Sequence, residues 1–259
     1  MKIPLYQIDA FTSRIFGGNP AAACPLKQWL DEGVLQAIAQ ENNLSETAFF
    51  VPMEDGYKIR WFTPVAEVDL CGHATLASAY VIFNIIEPSL SRVSFTSRSG
   101  RLSVSKEGEV LTMDFPSQPP RPCEAPSDLL EGLGKRPAEV LCSEDFLVVF
   151  SNEAEVRELS PDMAKLKNVS MRGVIVTARG GDADFVSRFF APKYGIPEDP
   201  VTGSAHCALT PYWAARLKKR ALKAFQVSKR GGELFCSDHG ERVMIAGRAV
   251  KYLEGTITL

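Results

Sequence analysis

Arg60-Trp61-Phe62-Thr63-Pro64, then a short polar loop, Cys71-Gly72-His73-Ala74 and a long apolar run, has a second version further along the chain. It returns as Arg188-Phe189-Phe190-Ala191-Pro192, a slightly longer loop, Thr202-Gly203-Ser204-Ala205 and another apolar run. Both copies read as a strand, a proline stop, a loop, and a glycine opening a helix. A duplicated unit of this kind predicts two similar halves facing each other. A site between two opposed helix N-termini would favour an anion such as a substrate carboxylate, because unpaired N–H groups and the positive dipole ends converge there.

The surrounding sequence fits an α+β fold. Ile3 to Phe11, Glu46 to Val51 and Tyr57 to Phe62 are strand-like, being alternating or rich in β-branched and aromatic residues. Arg92 to Thr96, Gly100 to Ser105 and Val110 to Phe115 form a meander with turns at Ser99-Gly100 and Glu107-Gly108. Asp31 to Gln40 carries Val34, Leu35 and Ile38 at helical spacing, an amphipathic surface helix. Ala74 to Ile86 leaves almost no polar face, so that helix is expected to be buried all round, inside a curled sheet. Pro116, Pro119, Pro120, Pro122 and Pro126 then read as a linker. This places the domain boundary between 1–117 and 118–259. The second half repeats the programme, with strands over Phe146–Phe150, Gly173–Thr177 and Phe185–Phe190, a helix over Ala205–Leu217, and closing strands to Leu253.

At 259 residues the chain suits two domains of ordinary size, and a formal net charge of −2 advertises no nucleic-acid partner. Arg216, Lys218, Lys219 and Arg220 read as the solvated end of a helix. The six cysteines lack C-x-x-C spacing and look like free thiols of a reducing compartment. His73, His206 and His239 show no metal-ligand spacing, so no metal is expected. No signal peptide and no membrane span is legible, and a cytoplasmic location is expected. Neither Gly17-Gly18 nor Gly231-Gly232 lies in a nucleotide-binding motif; both read as turns.

Three side chains stand out. Glu46 opens a strongly apolar strand with Phe49 and Phe50, where a carboxyl loses hydration and could shuttle a proton; a strand-end or capping role is the alternative. His73 starts the buried helix, where the dipole should depress its basicity and favour the neutral ring; capping or packing is the alternative. Asp199 enters the second helix, as a turn residue or as a carboxylate that binds substrate. Gly72, Gly203 and Ser204 would offer backbone donors to an anion. His206, one turn into its helix, reads as structural. Cys71 could act as a base at a helix N-terminus, but Thr202 stands where a symmetric two-thiol racemase would need its partner, so packing is the preferred role.

Eight segments in order resemble the phenazine-biosynthesis PhzF-like family. They are Asp9-Ala10-Phe11-Thr12, Gly18-Asn19-Pro20-Ala21-Ala22, Asn43-Leu44-Ser45-Glu46-Thr47-Ala48-Phe49, Arg60-Trp61-Phe62-Thr63-Pro64, Cys71-Gly72-His73-Ala74-Thr75-Leu76-Ala77, Glu198-Asp199-Pro200-Val201-Thr202-Gly203-Ser204-Ala205-His206, Arg230-Gly231-Gly232-Glu233-Leu234 and Leu253-Glu254-Gly255-Thr256. The branch most similar includes the animal phenazine biosynthesis-like domain-containing protein and its bacterial relatives. The resemblance implies the diaminopimelate-epimerase-like fold, two pseudo-symmetric β-barrel-like halves each wrapped around a central helix, with the last strand returning to the first half. It also implies a homodimer, catalysis without a cofactor, proton transfer by Glu46, and substrate positioning by His73 and Asp199.

The function expected is therefore isomerisation of a small carboxylate-bearing metabolite by Glu46-mediated proton transfer. The rivals are an epimerase or dehydratase using Cys71 with Thr202, and a non-catalytic binding protein on the same scaffold.

Overall fold

The computed structural model describes residues 1–259. They divide into two compact units: Met1–Asp114 together with Ala246–Leu259, and Phe115–Ile245.

The first unit begins β1 (Lys2–Ala10), β2 (Asn19–Pro25), α1 (Glu32–Asn42), β3 (Glu46–Met53), β4 (Gly56–Phe62), β5 (Glu67–Val68) and α2 (Gly72–Val81). A π-helical turn over Ile82–Ile86 extends α2 and is followed by β6 (Arg92–Ser97), β7 (Gly100–Glu107) and β8 (Val110–Pro116). β1 pairs antiparallel with β2, β2 runs parallel to β3, and β4 returns antiparallel to β3 and parallel to β6. Burial separates the two helices. α1 buries Leu35, Ile38 and Ala39 against Phe49, Val51 and Phe62 and leaves its other face wet. α2 buries eight of its ten residues and packs on β1, β2 and β3. Its polar side chains bond inward to their own helix: Thr75 Oγ1 donates to Cys71 O at 2.6 Å and Ser78 Oγ to Ala74 O at 2.8 Å. Small residues at Ala74, Ala77, Ser78 and Ala79 let strands approach on several sides.

The second unit contains β9 (Arg121–Pro122), α3 (Ser127–Leu133), β10 (Glu139–Cys142), β11 (Phe146–Val149), α4 (Glu153–Glu158), α5 (Met163–Leu166), β12 (Val174–Arg179) and β13 (Phe185–Ala191). It continues through a 3₁₀ turn over Pro192–Tyr194, β14 (Ile196–Asp199), α6 (His206–Leu217), β15 (Ala221–Gln226), β16 (Gly232–Asp238) and β17 (Arg242–Gly247). The ten-residue β18 (Ala249–Thr258) lies in the first unit, antiparallel to β1 from Ala10↔Ala249 to Lys2↔Thr258.

The pairing scheme repeats. β11 runs parallel to β12, β12 pairs antiparallel with β13, and β13 pairs antiparallel with β14 and parallel with β15, as β2, β3, β4, β5 and β6 do in the first unit. The duplicated Arg-aromatic-aromatic-x-Pro motif has one structural job in both. Arg60 on β4 grips Glu67 on β5 with Nε and Nη2, both at 2.7 Å, and its guanidinium lies 5.0 Å from the Phe62 ring centre. Arg188 on β13 grips Glu198 on β14 at 2.7 and 3.0 Å and lies 4.9 Å from the Phe190 ring centre. Each fork fastens the short return strand that leads to a central helix.

α6 contains Pro211, which has no N–H to give the carbonyl four residues back. That carbonyl, Cys207 O, accepts from Gln118 N at 3.0 Å instead. A residue of the proline-rich segment thus repairs a bond that a proline removes.

Candidate active site

Glu46 is the first residue of β3, and Asn19 the first of the neighbouring parallel strand β2, in a register that sets Ala21 beside Glu46. Gly18 makes that start possible. It is left-handed at φ +61°, and a Cβ there would collide with the Ala10 carbonyl. Cys71 is the N-cap of α2, with Gly72 and His73 its first two residues.

These elements bring four side chains together. Glu46 Oε2 stands 3.0 Å from His73 Nε2. On the other ring nitrogen, Asn19 Nδ2 lies 3.2 Å and Cys71 Sγ 3.5 Å from His73 Nδ1. The Asn19 amide thus faces Nδ1 while Nε2 faces Glu46. The Glu46–His73 contact is close, but its alignment is not that of a hydrogen bond, and both atoms are buried without another protein partner. Glu46 is 9% and His73 5% exposed. Such a pair is aimed at a third group rather than closed on itself.

The expectation of a depressed His73 is overturned. Burial disfavours the imidazolium, but the Cys71 sulfur at Nδ1 and the Glu46 carboxylate at Nε2 together outweigh it and hold His73 well above the ordinary histidine value. Contact charges within 4 Å beat the more diffuse dipole. Burial, reinforced by the Glu46 charge, pushes the Cys71 thiol up to about 11. It is a thiol at neutral pH, which is a poor starting point for a base.

In the second unit Asp199 ends β14 and is buried, and the turn 202–205 leads into α6. Thr202 Oγ1 donates to Asp199 Oδ2 at 2.5 Å. Gln226, at the end of β15, takes Thr202 N–H on Oε1 at 2.8 Å and donates from Nε2 to Asp199 O at 2.8 Å and to Thr202 Oγ1 at 3.2 Å. Receiving a proton from Gln226, the Thr202 hydroxyl must send its own to Asp199. Thr202 is a brace for Asp199, not a base opposite Cys71. Ser204 Oγ accepts from Arg172 at 3.2 Å, and Arg172 is itself forked onto buried Asp145 at 3.0 and 2.6 Å. His206 donates Nδ1–H to Thr202 O at 2.9 Å, since a carbonyl can only accept, and burial pushes the ring down to about 4. It is a neutral structural histidine.

Helices α1, α4 and α5 are capped by Asp31, Asn152 and Asp162. The N-termini of α2 and α6 have no side-chain cap, as is also true of α3 behind Pro126. Gly72 at the start of α2 and Gly203-Ser204 before α6 therefore stand at two uncapped central-helix ends, where N–H groups are available to an anion. Glu46, Cys71, Gly72 and His73 belong to the first unit, and Asp199, Thr202, Gly203 and Ser204 to the second. The sequence reading omitted Asn19, Gln226, Arg172 and Asp145. Asn19 lay within a quoted motif, and Gln226 closes β15 one residue after Phe225. Nothing local marks Arg172 or Asp145, which meet only in the fold.

Residues 8–255 match the family described as phenazine biosynthesis-like protein, PhzC-PhzF. The chain belongs to that family. It is 54% identical over 259 residues to a protein of Pseudomonas aeruginosa named as an uncharacterized isomerase, with both chains covered in full. It is 40% identical to the human phenazine biosynthesis-like domain-containing protein, again covering all of both. The crystal structure of a PhzF-family protein from Enterococcus faecalis superposes with a TM-score of 0.98 at 46% identity, covering all of both chains. The fold is the diaminopimelate-epimerase-like one; a hydroxyproline epimerase from Agrobacterium vitis shares it at a TM-score of 0.62 and 10% identity, over 99% of this chain and 91% of that one. The relatives named as isomerases make the protein an enzyme of isomerase type. No helix is long and apolar enough to cross a membrane.

Proposed function

We propose that the protein is a cofactor-independent isomerase that moves a proton on a small carboxylate-bearing metabolite. The observation that carries this reading is the buried Glu46–His73 pair, 3.0 Å apart, with each facing atom lacking a hydrogen-bond partner. Glu46 removes a proton from a carbon next to an unsaturated or electron-withdrawing group and returns one elsewhere. His73, held on its far side by Asn19, and Asp199, braced by Thr202 and Gln226, bind the substrate's amine or hydroxyl. The uncapped N-termini of α2 and α6, with Gly72, Gly203 and Ser204, bind its carboxylate and steady the negative charge that grows as the C–H bond breaks.

The cysteine-base alternative has less support, because Cys71 is a raised thiol and Thr202 is committed to Asp199. A cytoplasmic homodimer completes the reading, on the family's pattern. The test is solvent deuterium wash-in, followed by mass spectrometry across a panel of small amino- and hydroxy-carboxylates. One panel member gaining deuterium at carbon, at the same rate with Cys71→Ser, supports the proposal. Exchange that vanishes with Cys71→Ser but survives Glu46→Gln transfers the role to the thiol.

A further inference from the structure

We infer that Arg172, locked by Asp145, is a positioning residue of the candidate site: it fixes the Ser204 hydroxyl as a donor, so that the second unit takes the carboxylate end of an amino- or hydroxy-acid at Ser204. The sheet assembles the pair. β11 runs parallel to β12 with Phe146 beside Val174, so Asp145 and Arg172 stand just ahead of two neighbouring strand starts. Gly173 lets the platform close up. A Cβ there would stand 2.4 Å from the Phe189 ring, whose centre lies 5.6 Å from the Arg172 guanidinium. Arg172 Nε donates to Asp145 Oδ1 at 3.0 Å and Nη2 to Oδ2 at 2.6 Å, and Asp145 is buried. A planar fork on a buried carboxylate has little freedom. The second N–H of Nη2 is thereby aimed at Ser204 Oγ, 3.2 Å away.

A guanidinium has no lone pair to offer and keeps its charge at any working pH. Ser204 Oγ is therefore the acceptor of that bond, and its own proton must point elsewhere. No protein group takes that proton. The N–H groups of Gly203, Ser204 and Ala205 also have no protein acceptor, while their carbonyls are turned into α6, where His206, Cys207 and Leu209 donate to them at 3.0, 3.0 and 3.1 Å. What this turn offers a ligand is proton donors, so the fragment that binds must bring acceptor oxygens. Asp145 balances the Arg172 charge, and selection rests on aimed donors rather than on net charge. The bond from Arg172 also polarises the Ser204 O–H and strengthens it as a donor. Asp199, in the same unit, already accepts from Thr202 and has the opposite polarity, suited to an amine or hydroxyl. The two ends of the ligand are thus told apart. That this ligand is the isomerase substrate rests on the proposed function; the donor polarity of Ser204 does not.

The experiment records proton–nitrogen NMR spectra of the full-length protein while sodium salts of small amino- and hydroxy-carboxylates, or their neutral carboxamides, are titrated in. The expected result is a saturating shift of the Gly203, Ser204 and Ala205 amide signals with a carboxylate, at lower concentration than with its carboxamide. Ser204→Ala should weaken that binding about 10-fold or more, the scale of one hydrogen bond to a charged group. Arg172→Met made together with Asp145→Asn, so that no charge is left buried alone, should weaken it several-fold. Placed on top of Ser204→Ala, the same pair should change the affinity by less than about twofold, because Arg172 acts through that hydroxyl. With a panel member that exchanges deuterium, the loss should fall on KM and leave kcat unchanged. Additive losses would overturn the inference by giving Arg172 a ligand contact of its own. Full affinity in the paired variant, or amide signals that stay still across the whole panel, would overturn it too. If the paired variant does not fold, Arg172→Lys, which keeps a charge against Asp145 but gives up the planar fork, is read in the same way. Coupled losses with no deuterium exchange anywhere would refute the proton transfer alone, and exchange with additive losses would refute the role of Arg172 alone.

Discussion

Replacing Gln226 with leucine tests the brace around Asp199 without needing a substrate. Gln226 is 1% exposed, and its amide makes three hydrogen bonds, to Thr202 N, Asp199 O and Thr202 Oγ1. Leucine has a similar volume, so little cavity opens. The loss is polar. The Thr202 N–H loses a buried acceptor, at about 1–3 kcal/mol, and the bond to Asp199 O is worth about 1 kcal/mol more. A destabilisation of about 3 kcal/mol is expected, which lowers Tm by about 6–12 °C for a protein of this size. Urea unfolding followed by tryptophan fluorescence measures it. Because Thr202 is shared, Thr202→Val and Gln226→Leu should be non-additive, with a coupling of about 1 kcal/mol or more in the double variant. A loss under about 0.5 kcal/mol, or strict additivity, would refute the network.

His206 gives a pH signature. Its folded value of about 4 lies below the ordinary unfolded value, so stability is highest above about pH 6.5, falls between pH 6.5 and pH 4 while only the unfolded chain takes up the proton, and levels off below 4. The full loss is about 3 kcal/mol, seen as a drop in urea midpoint between pH 7 and pH 4 that His206→Asn flattens. Light scattering should return a mass of twice 28.4 kDa if the homodimer forms, and a single-chain mass would remove it.

The architecture was legible because it is written twice. The two Arg-aromatic-aromatic-x-Pro segments became matching strands with matching forks onto Glu67 and Glu198. The all-apolar run after His73 became the buried α2, and the π-helical turn at Ile82–Ile86 was the part that periodicity could not show. The short elements α3, α4, α5 and β10 went unread, since four to seven residues carry too little pattern to separate helix from strand or loop. At the candidate site, Glu46 and His73 could be singled out one at a time from their strand and helix starts. Their 3.0 Å contact could not, because it depends on the packing of α2 against β2 and β3. The direction of the His73 shift failed for the same reason. The helix end is visible in sequence, whereas the turn of the Cys71 sulfur onto Nδ1 and the arrival of the Glu46 carboxylate at Nε2 come only with the tertiary fold.

The most direct measurement is the rate of carbon-bound deuterium exchange by Glu46→Gln, set beside the natural protein on the same substrate at neutral pH. Loss of a positioned acid–base group predicts a fall of at least about 100-fold, with substrate affinity changed only a few-fold. Equal exchange by the two proteins would contradict proton transfer at Glu46.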